Sequence, residues 1–465
     1  MTDGVELRVL RRDAEGGERY HAQSYVRLDP EVAAFDSNLP LVVIYADRAL
    51  DRAERDYLPT SFQVHEPGKD GRTPLLGAAT MSSRAAIKVR GSSTSGEPKR
   101  SYALELRETY SDEDDAEPIL DMPAESDWVL YAPLTFDRAF IRNALVYRLS
   151  NDLGRYAPRT RFVEVYAVGQ GEPIGEDDYQ GIYVLMERIT IGPDRVAITP
   201  MTEADVVSPE VTGGYLFKRD RVGDGESGFN AGTAGGTFSF ADPLVYVDPD
   251  EDEIVPAQSS YLSGVIDDFA AALVAADHTH EGVHYAEMID VDAWIDNHIL
   301  YLYAKNPDAL RLSSHMYKDR ASTIVAGPIW DFDRAMGCTS DDRASDPTWW
   351  DATNQTSDTT PMFTYGWYAA LFDDPAFAEV YWPRLQVVLD DTLGDEHVDA
   401  VIDEMAAELA EAAPRNYERW SDYGPTTGSF EGEIAALKGW FAARHVWAEA
   451  CLAAHPEDPR VCRGG

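Results

Sequence analysis

Two aspartates separated by a single residue follow an apolar segment in the C-terminal half of the chain. Asp331 and Asp333 come directly after residues 323–330, and Phe332 lies between them. Placing charge beside apolar side chains costs free energy unless a partner compensates it. Divalent cations such as Mg²⁺ bind one or two carboxylates together with phosphate oxygens and water. The pair therefore predicts a metal site, and the alternative is a turn capped by structural carboxylates.

The loop that ends at Lys99 is a candidate for binding phosphate. Gly91 and Gly96 have the spacing of a phosphate-binding loop, but Glu97 and a proline intervene before Lys99. The residues that follow alternate like a strand, whereas a Walker-type loop opens a helix, so that motif is excluded. A strand–loop–strand that covers phosphates remains, with Lys99 at the start of its second strand. The alternative is a surface hairpin with an exposed lysine.

Glu187 ends the apolar strand that the sequence predicts over residues 181–187. A carboxylate at this position predicts an ion pair with Lys99, which would hold the compact ammonium toward a nucleotide. The alternative is an ordinary carboxylate at the end of a strand.

Asp308 closes an Asn-Pro-Asp turn after a predicted helix. It would accept the proton of an attacking hydroxyl, with Arg311 offsetting charge nearby. The alternative is a turn that only stops the helix. A strand over residues 314–318 and a turn separate Asp308 from Asp331. A β-hairpin there would bring the two acidic segments together.

The elements that position these residues follow from the periodicity of apolar side chains. Predicted strands cover residues 39–45, 85–90, 101–107, 128–132, 161–168, 179–187, 213–218 and 314–318. Predicted helices cover residues 137–153, 261–276, 292–303, 367–372, 377–389, 398–413 and 434–453. The order predicts an α+β protein with a β-rich N-terminal half, a central mixed segment that carries the acids, and a helical C-terminal cap.

The charge of the chain limits its partners. Its 82 acidic and 40 basic residues give a formal net charge of −42. Repulsion between like charges argues against nucleic acid and against anionic membrane surfaces as partners. No apolar run approaches the ~18 residues of a membrane-spanning helix, so we expect no membrane insertion. The acidic surface is explained by solvation, and the alternative is attraction of a basic partner.

Three cysteines and the N-terminus bear on the compartment. Cys451 and Cys462 flank a short segment that a disulfide would close, whereas Cys338 lies apart. Such a disulfide fits an exporting pathway, and free thiols are the alternative. Residues 1–6 lack the basic and apolar segments of a signal peptide. We therefore expect a secreted or cell-envelope protein whose leader is absent from this chain, with a cytoplasmic location as the alternative.

Five stretches together resemble one known family. They are residues 87–93, 98–102, 141–143, 179–187 and 327–333. In this order they resemble the spore-coat protein H (CotH) kinase family, and the likeness spans residues 38–440. The resemblance implies an atypical protein-kinase-like fold with a β-rich N-lobe, a mixed C-lobe and a helical C-terminal cap. It implies a lead-in segment 1–37, a core 38–345 and a helical extension 346–465, with the N-lobe at 38–220 and the C-lobe from 255.

The resemblance also implies ATP and Mg²⁺ or Mn²⁺ as cofactors, and a protein kinase that transfers the γ-phosphoryl group to Ser or Thr. By position, the catalytic residues would be Asp308 as base, Lys99 on the phosphates and Glu187 as partner of Lys99. The cofactor-binding residues would be Arg90, Ser93, Lys99, Glu187, Arg142 and Asn143, of which Arg142 and Asn143 brace the site. The metal ligands would be Asp331, Asp333 and Asn306.

Two departures from the family pattern bear on this assignment. Protein kinases place a metal-binding Asn after the catalytic Asp. Here Asn306 precedes Asp308, and residues 313–315 are Ser, Ser and His. The strand 213–218 runs into Arg219, where the family tends toward acid.

Alternative functions are transfer of AMP, glutamylation and non-catalytic surface binding. The protein substrate is expected to be basic, and the oligomeric state stays open.

Overall fold

The computed structural model describes residues 5–12, 18–46, 48, 56–92, 94–169, 172–223, 225–352 and 360–462, with residues 5–12 and 18–25 described by their backbone alone. The chain divides into two compact units. The first consists of Met1–Phe140, Arg159–Arg188 and Glu404–Glu433, and the second of Ile141–Pro158, Ile189–Asp403 and Ile434–Gly465. Each unit gathers three stretches of chain. The domain boundaries expected from chain order stay a prediction.

Strands alternate with helices mainly in the second half of the chain. The strands are β1 (Val5–Arg12), β2 (Glu18–Tyr25), β3 (Asp36–Ser37), β4 (Leu41–Ala46), β5 (Leu58–His65), β6 (Thr73–Pro74), β7 (Met81–Val89), β8 (Tyr102–Arg107), β9 (Glu117–Ile119), β10 (Met122–Glu125), β11 (Asp127–Tyr131), β12 (Thr160–Val168), β13 (Tyr179–Glu187), β14 (Tyr215–Arg219), β15 (Gly228–Phe229), β16 (Leu244–Asp248), β17 (Thr279–His280), β18 (Val283–His284), β19 (Ser314–Lys318) and β20 (Ile324–Ala326). The helices are α1 (Arg142–Asp152), α2 (Pro256–Val274), α3 (Val291–Ala304), α4 (Trp367–Asp373), α5 (Pro375–Asp390), α6 (Asp395–Leu409), α7 (Ala412–Arg419) and α8 (Phe430–Ala454).

The first unit is built on a sheet that closes on itself in the order β11-β13-β12-β4-β5-β7-β8. All its pairs are antiparallel except β12 with β4. Alternate residues of β4 belong to two different hydrophobic clusters. Val42 and Ile44 belong to one, and Leu41 and Val43 belong to the other. Burial on both faces explains why this strand is a continuous apolar run in the sequence. Helix α7 packs against β13.

The second unit contains an antiparallel sheet in the order β15-β16-β14-β19-β20. Strands β19 and β20 pair with Met316 opposite Ala326, which confirms the hairpin predicted between the two acidic segments. Helix α3 begins at an aspartate cap, where Asp290 accepts a hydrogen bond from the backbone N–H of Ala293 at 2.9 Å. The helix ends at Lys305, whose φ of +50° lies in the left-handed region.

The predicted α+β class is confirmed, because strands build most of the first unit and helices join strands in the second. Every predicted strand and helix overlaps an observed one. Helix α1, however, begins at Arg142 and not at Asp137, because the positive φ of Phe140 (+66°) interrupts helical geometry. Helix α7 and strands β5, β9, β10 and β16 are among the elements that were not predicted. Among the described residues, no helix has the length and apolar character needed to cross a membrane.

Candidate functional site

The predicted metal pair lies in the second unit, on residues 331–333, which we call the acidic loop. Phe332 is completely buried, and its ring stacks on Tyr301 with centroids 5.1 Å apart and planes 11° apart. Asp331 is exposed, and Asp333 is 6% exposed. The aromatic contact anchors the loop between its two carboxylates, because moving Phe332 would expose a fully buried ring.

Three side chains hold the backbone of the acidic loop. The N–H of Asp331 donates to the hydroxyl of Tyr147 at 3.2 Å, and the N–H of Phe332 donates to Oδ1 of Asn143 at 2.6 Å. Asn306 donates from Nδ2 to the carbonyl of Asp331 at 2.7 Å. Asp331 has φ of +67°, a left-handed conformation that aspartate tolerates better than most residues. These contacts support a conformation that the chain alone would rarely adopt.

Arg142 continues this support beyond the acidic loop. It is 3% exposed and donates to the carbonyls of Ala335 at 3.2 Å and of Met336 and Gly337, both at 3.3 Å. The bracing expected of Arg142 and Asn143 is therefore present, and it acts on backbone. Their predicted contact with the cofactor stays a prediction.

Asn306 ties the two acidic segments together. Its Nδ2 donates to the carbonyl of Asp331, as described above, and its Oδ1 accepts a hydrogen bond from the N–H of Asp308 at 3.0 Å. Both amide atoms thus contact the backbone, which gives Asn306 a positioning role, and its predicted role as metal ligand stays a prediction. The contact confirms that the segments around Asp308 and Asp331 meet, as the predicted hairpin required.

Two arginines surround the carboxylate of Asp308. Arg311 donates to its Oδ1 at 2.6 Å, as the sequence predicted. Arg343 approaches the same oxygen at 3.4 Å and pairs with Asp341 at 2.5 Å. Sequence reasoning missed Arg343, because it lies 35 residues after Asp308 and no local pattern connects the two.

The carboxylates do not gather into a preformed metal cluster. Within the ranges that the structure describes, no group of three or more His, Cys, Asp or Glu side chains is close enough to hold an ion. The ligand set expected from the sequence was two carboxylates and an amide, Asp331, Asp333 and Asn306, with Asp308 as base, so those assignments stay predictions. The pair Asp331 and Asp333 still fits Mg²⁺, which takes one or two carboxylates and completes its shell with phosphate and water.

Lys99 lies in the first unit and is deeply buried, at 1% exposed. Its ammonium donates to the carbonyl of Pro133 at 3.2 Å, to the carbonyl of Ile182, and to Oδ1 of Asn416 at 2.9 Å. An ammonium has three donors, and all three are engaged. Burial lowers the pKa of Lys99 well below its ordinary value. Its predicted contact with phosphates is untested, and such a contact would displace one of these acceptors.

The predicted ion pair between Lys99 and Glu187 is not formed. The buried carboxylate of Glu187 accepts the backbone N–H of Arg159 at 2.9 Å, and the Arg159 guanidinium at 2.7 and 2.9 Å. Arg159 directly precedes β12, the neighbour of β13 in the sheet, so it reaches the end of β13 without a long connection. The physical reason for the error is that a nearer cation already satisfies Glu187.

The loop before Lys99 is a strand–loop–strand, since β7 and β8 pair as antiparallel neighbours around it. Gly91 has φ of +101°, and a Cβ there would lie 2.3 Å from Oγ1 of Thr94, so only glycine fits. Arg90 donates its backbone N–H to Ser101 at 3.0 Å. Ser93 lies outside the described residues. The phosphate role expected of Arg90 and Ser93 stays a prediction.

A buried ion pair that the sequence analysis missed lies near Lys99. Glu164 on β12 is completely buried, and Arg415 on α7 reaches it at 2.7 and 3.0 Å. Ser37 and Tyr179 donate to the same carboxylate. The signal in the sequence was a glutamate inside the apolar strand 161–168. Asn416, next to Arg415, supplies the acceptor for Lys99, so α7 closes both polar centres.

Taken together, the second unit carries the acidic loop and a carboxylate between two arginines. A family model described as CotH kinase protein matches residues 87–448, which is most of the chain. The chain belongs to the CotH kinase family. The family's designation as a kinase suggests a kinase-like activity for this chain. No curated protein matched the sequence.

Proposed function

We propose that this protein is an ATP- and divalent-metal-dependent kinase that transfers the γ-phosphoryl group to Ser or Thr of a protein. The observation that carries the proposal is the braced acidic loop. Its two carboxylates sit on a backbone fixed by Asn143, Tyr147 and Asn306. Phosphoryl transfer depends mainly on positioning and on electrostatic stabilisation, so a rigid pair of carboxylates is the feature it needs.

Asp331 and Asp333 are the residues that would hold Mg²⁺ or Mn²⁺. The donor set is hard oxygen, which suits either ion. When bound together with the nucleotide, the ion would offset negative charge on the phosphoryl oxygens. The chain's own contribution is to keep Asp331 exposed and in a fixed orientation through the hydrogen bonds to its N–H and its carbonyl.

Asp308 is the proposed general base. Its side chain is 22% exposed, so an acceptor hydroxyl has access to it. It would accept the proton of that hydroxyl while Arg311 and Arg343 orient the carboxylate and balance its charge. Its backbone is set by Asn306, which also holds Asp331, so base and metal ligand are positioned by one amide.

The acceptor protein is proposed to be basic, since a net charge of −42 attracts cationic partners over long range. The disulfide between Cys451 and Cys462 supports the proposal of a secreted or cell-envelope location, where disulfides persist.

The test is transfer of radiolabel from [γ-³²P]ATP to a basic, Ser-containing protein, with Mg²⁺ or Mn²⁺. Asp331→Ala is expected to lower the rate by about 100-fold or more, because it removes a contact to the ion that stabilises the transition state. Asp292→Ala is the matched control: Asp292 belongs to an Asp-Val-Asp sequence of the same spacing, and it is exposed on α3. Both variants are checked for folding by thermal unfolding.

Intact-mass measurement of the acceptor identifies the group that is transferred. A gain of about 80 Da marks a phosphoryl group, whereas larger gains mark AMP or glutamyl transfer and would overturn the kinase assignment. Full activity of Asp331→Ala would also overturn it. A ligand that binds the folded state must stabilise it. If ATP with Mg²⁺ fails to raise the melting temperature of the wild type, non-catalytic surface binding therefore replaces the kinase assignment.

A further inference from the structure

A narrow cleft in the second unit has features that the proposed kinase chemistry does not use. It measures about 410 Å³ including its open mouth. Its walls are mostly aromatic. The lining residues on which the argument depends are Arg219, Phe240, Trp294, Ser314, Tyr365 and Trp367. Ligand sites in proteins are typically apolar clefts with a few well-placed polar groups.

Arg219 is the polar group that makes this cleft unusual. The residue is 3% exposed, and its guanidinium carbon lies 3.4 Å from the ring centroid of Phe240 and 5.1 Å from that of Trp367. One nitrogen, Nη1, donates to the carbonyl of Asp242 at 2.8 Å. The other, Nη2, is buried and has no hydrogen-bond partner among the described residues.

Arg219 also forms no salt bridge among the described residues. The carboxylate of Asp242 interacts with its guanidinium only at longer range, and no carboxylate lines the cleft. In a chain with 82 acidic and 40 basic residues, a buried arginine without a salt bridge is unexpected. A buried charge costs free energy unless it is paired and hydrogen-bonded. Burial lowers the pKa of Arg219 to about 10, which leaves it charged at neutral pH.

We propose that this cleft binds a small organic carboxylate with a flat apolar body. The carboxylate would accept from Nη2 of Arg219, and the apolar body would lie against the rings of Phe240, Trp294 and Trp367. A carboxylate matches the site better than a phosphate dianion, because Arg219 is the one arginine among the described lining residues and no lysine accompanies it. Charged hydrogen bonds between guanidinium and carboxylate are about twice as strong as neutral ones.

The cleft adjoins the segment that carries the proposed base. Arg219 is paired with Ser314 in the register of β14 and β19, and Leu310, two residues after Asp308, also lines the cleft. The inference does not depend on the proposed kinase activity, since it concerns binding and is read by binding alone.

Benzoate is the probe, and benzamide is the neutral control of the same shape. Tryptophan fluorescence is followed at constant ionic strength, because Trp294 and Trp367 line the cleft, and the melting temperature is measured in parallel. Benzoate is expected to change the fluorescence and raise the melting temperature, and benzamide is expected to do neither. Arg219→Met should weaken benzoate binding by about 10-fold or more, since a charged hydrogen bond is lost. Arg221→Met, the same substitution at an exposed position nearby, should leave binding unchanged.

A second variant keeps the test decisive if Arg219→Met does not fold. Ala326→Met adds bulk to the half-buried lining without changing charge, and it should abolish benzoate binding. The proposal is overturned if benzoate and benzamide bind equally, if Arg219→Met binds as the wild type does, or if inorganic phosphate binds more tightly than benzoate. No response up to about 10 mM benzoate, beyond the ~1 mM affinity of a weak ligand, would show that Arg219 is satisfied by water.

Discussion

Asn416 accepts a hydrogen bond from the buried ammonium of Lys99 at 2.9 Å, although 317 residues separate the two in the sequence. The same Oδ1 atom accepts the backbone N–H of Ile182 at 3.0 Å. One amide oxygen on α7 therefore holds both a buried lysine and strand β13. The loss of this oxygen would leave two buried donors unsatisfied, which costs more than the hydrogen bonds themselves contribute.

Gly181 makes this arrangement possible and gives the first prediction. Its φ is +82°, and a Cβ there would lie 2.3 Å from Oδ1 of Asn416. Gly181→Ala is expected to reduce the free energy of unfolding by about 3 kcal/mol, and Asn416→Ala by about 2 kcal/mol. Because Asn416→Ala removes the clash, the double variant should lose at least 1 kcal/mol less than the sum. Urea denaturation measures all three.

The control for this cycle is Gly77→Ala, since a Cβ at Gly77 meets nothing within 4 Å. That variant should change the free energy of unfolding by less than about 0.5 kcal/mol. Strict additivity of Gly181→Ala and Asn416→Ala would contradict the contact.

The ion pair between Arg415 and Glu164 gives the second prediction. Glu164 is fully buried, so Arg415→Met leaves a carboxylate without its cation. Breaking a buried pair in this way costs about 3–5 kcal/mol of unfolding free energy. Arg148→Met, which breaks the exposed i,i+4 pair with Asp152, should cost less than about 1 kcal/mol.

Glu164→Gln added to Arg415→Met should recover part of the loss, because it removes the uncompensated charge. Chemical denaturation at neutral pH compares the four proteins. Equal losses for Arg415→Met and Arg148→Met would show that Glu164 does not depend on its partner.

The sequence contained enough to predict the strands that carry Lys99 and Glu187, and the hairpin that joins the two acidic segments. Periodicity and turn residues act over short distances, so they define elements and neighbouring strands well. Hydrogen-bond and ion-pair partners that are distant in the sequence could not be predicted from it. Glu187 pairs with Arg159, and Lys99 donates a hydrogen bond to Asn416. No local sequence pattern indicates either partner.

The acidic loop shows the same division. The apolar run before Asp331 marked it as the end of a buried segment, and the hairpin placed it near Asp308. The sequence could not show that both amide atoms of Asn306 form hydrogen bonds with backbone groups, or that Arg343 contacts Asp308. Such details depend on side-chain packing in three dimensions, because hydrogen-bonding groups pair with whichever partner burial brings near.

Asn143 gives the third prediction, which concerns positioning. Its Oδ1 accepts the N–H of Phe332 at 2.6 Å, so it fixes the residue between the two proposed metal ligands. Asn143→Ala should lower kcat for γ-phosphoryl transfer about 10-fold or more and change KM less, because misplacing catalytic groups by even ~1 Å is costly. Asn143→Asp keeps an acceptor oxygen and should recover most of kcat. Steady-state kinetics with radiolabelled ATP tests both, and an alanine variant with unchanged kcat would exclude the positioning role.

The disulfide between Cys451 and Cys462 gives the fourth prediction. The two cysteines are 11 residues apart, and closing a loop of this size is worth about 3 kcal/mol in the chain-entropy model. Replacing both by Ser should reduce the free energy of unfolding by about that amount. Dithiothreitol should lower the wild type to the level of the double variant and leave that variant unchanged. If dithiothreitol destabilised both proteins equally, its effect would come from something other than this disulfide.

His298 gives the fifth prediction, a dependence of stability on pH. The imidazole is completely buried, with Nδ1 2.7 Å from the hydroxyl of Tyr381 and Nε2 2.9 Å from the carbonyl of Met362. Burial lowers the pKa of His298 from 6.5 to about 4. Between these values the unfolded chain binds a proton that the folded protein does not, so stability falls as pH falls from 6.5 to 4.

The expected loss from His298 across that window is about 3 kcal/mol, since one pKa unit corresponds to about 1.4 kcal/mol. His298→Gln removes the titrating group, so its unfolding free energy should vary less with pH than that of the wild type. His397→Gln, at an exposed site 3.0 Å from Asp152, should keep the wild-type dependence. Urea denaturation at several pH values between 4 and 7 measures the difference. Because the many carboxylates titrate in all three proteins, their contribution cancels in the comparison. Identical pH profiles for His298→Gln and the wild type would show that the pKa of His298 does not differ between the folded and unfolded states.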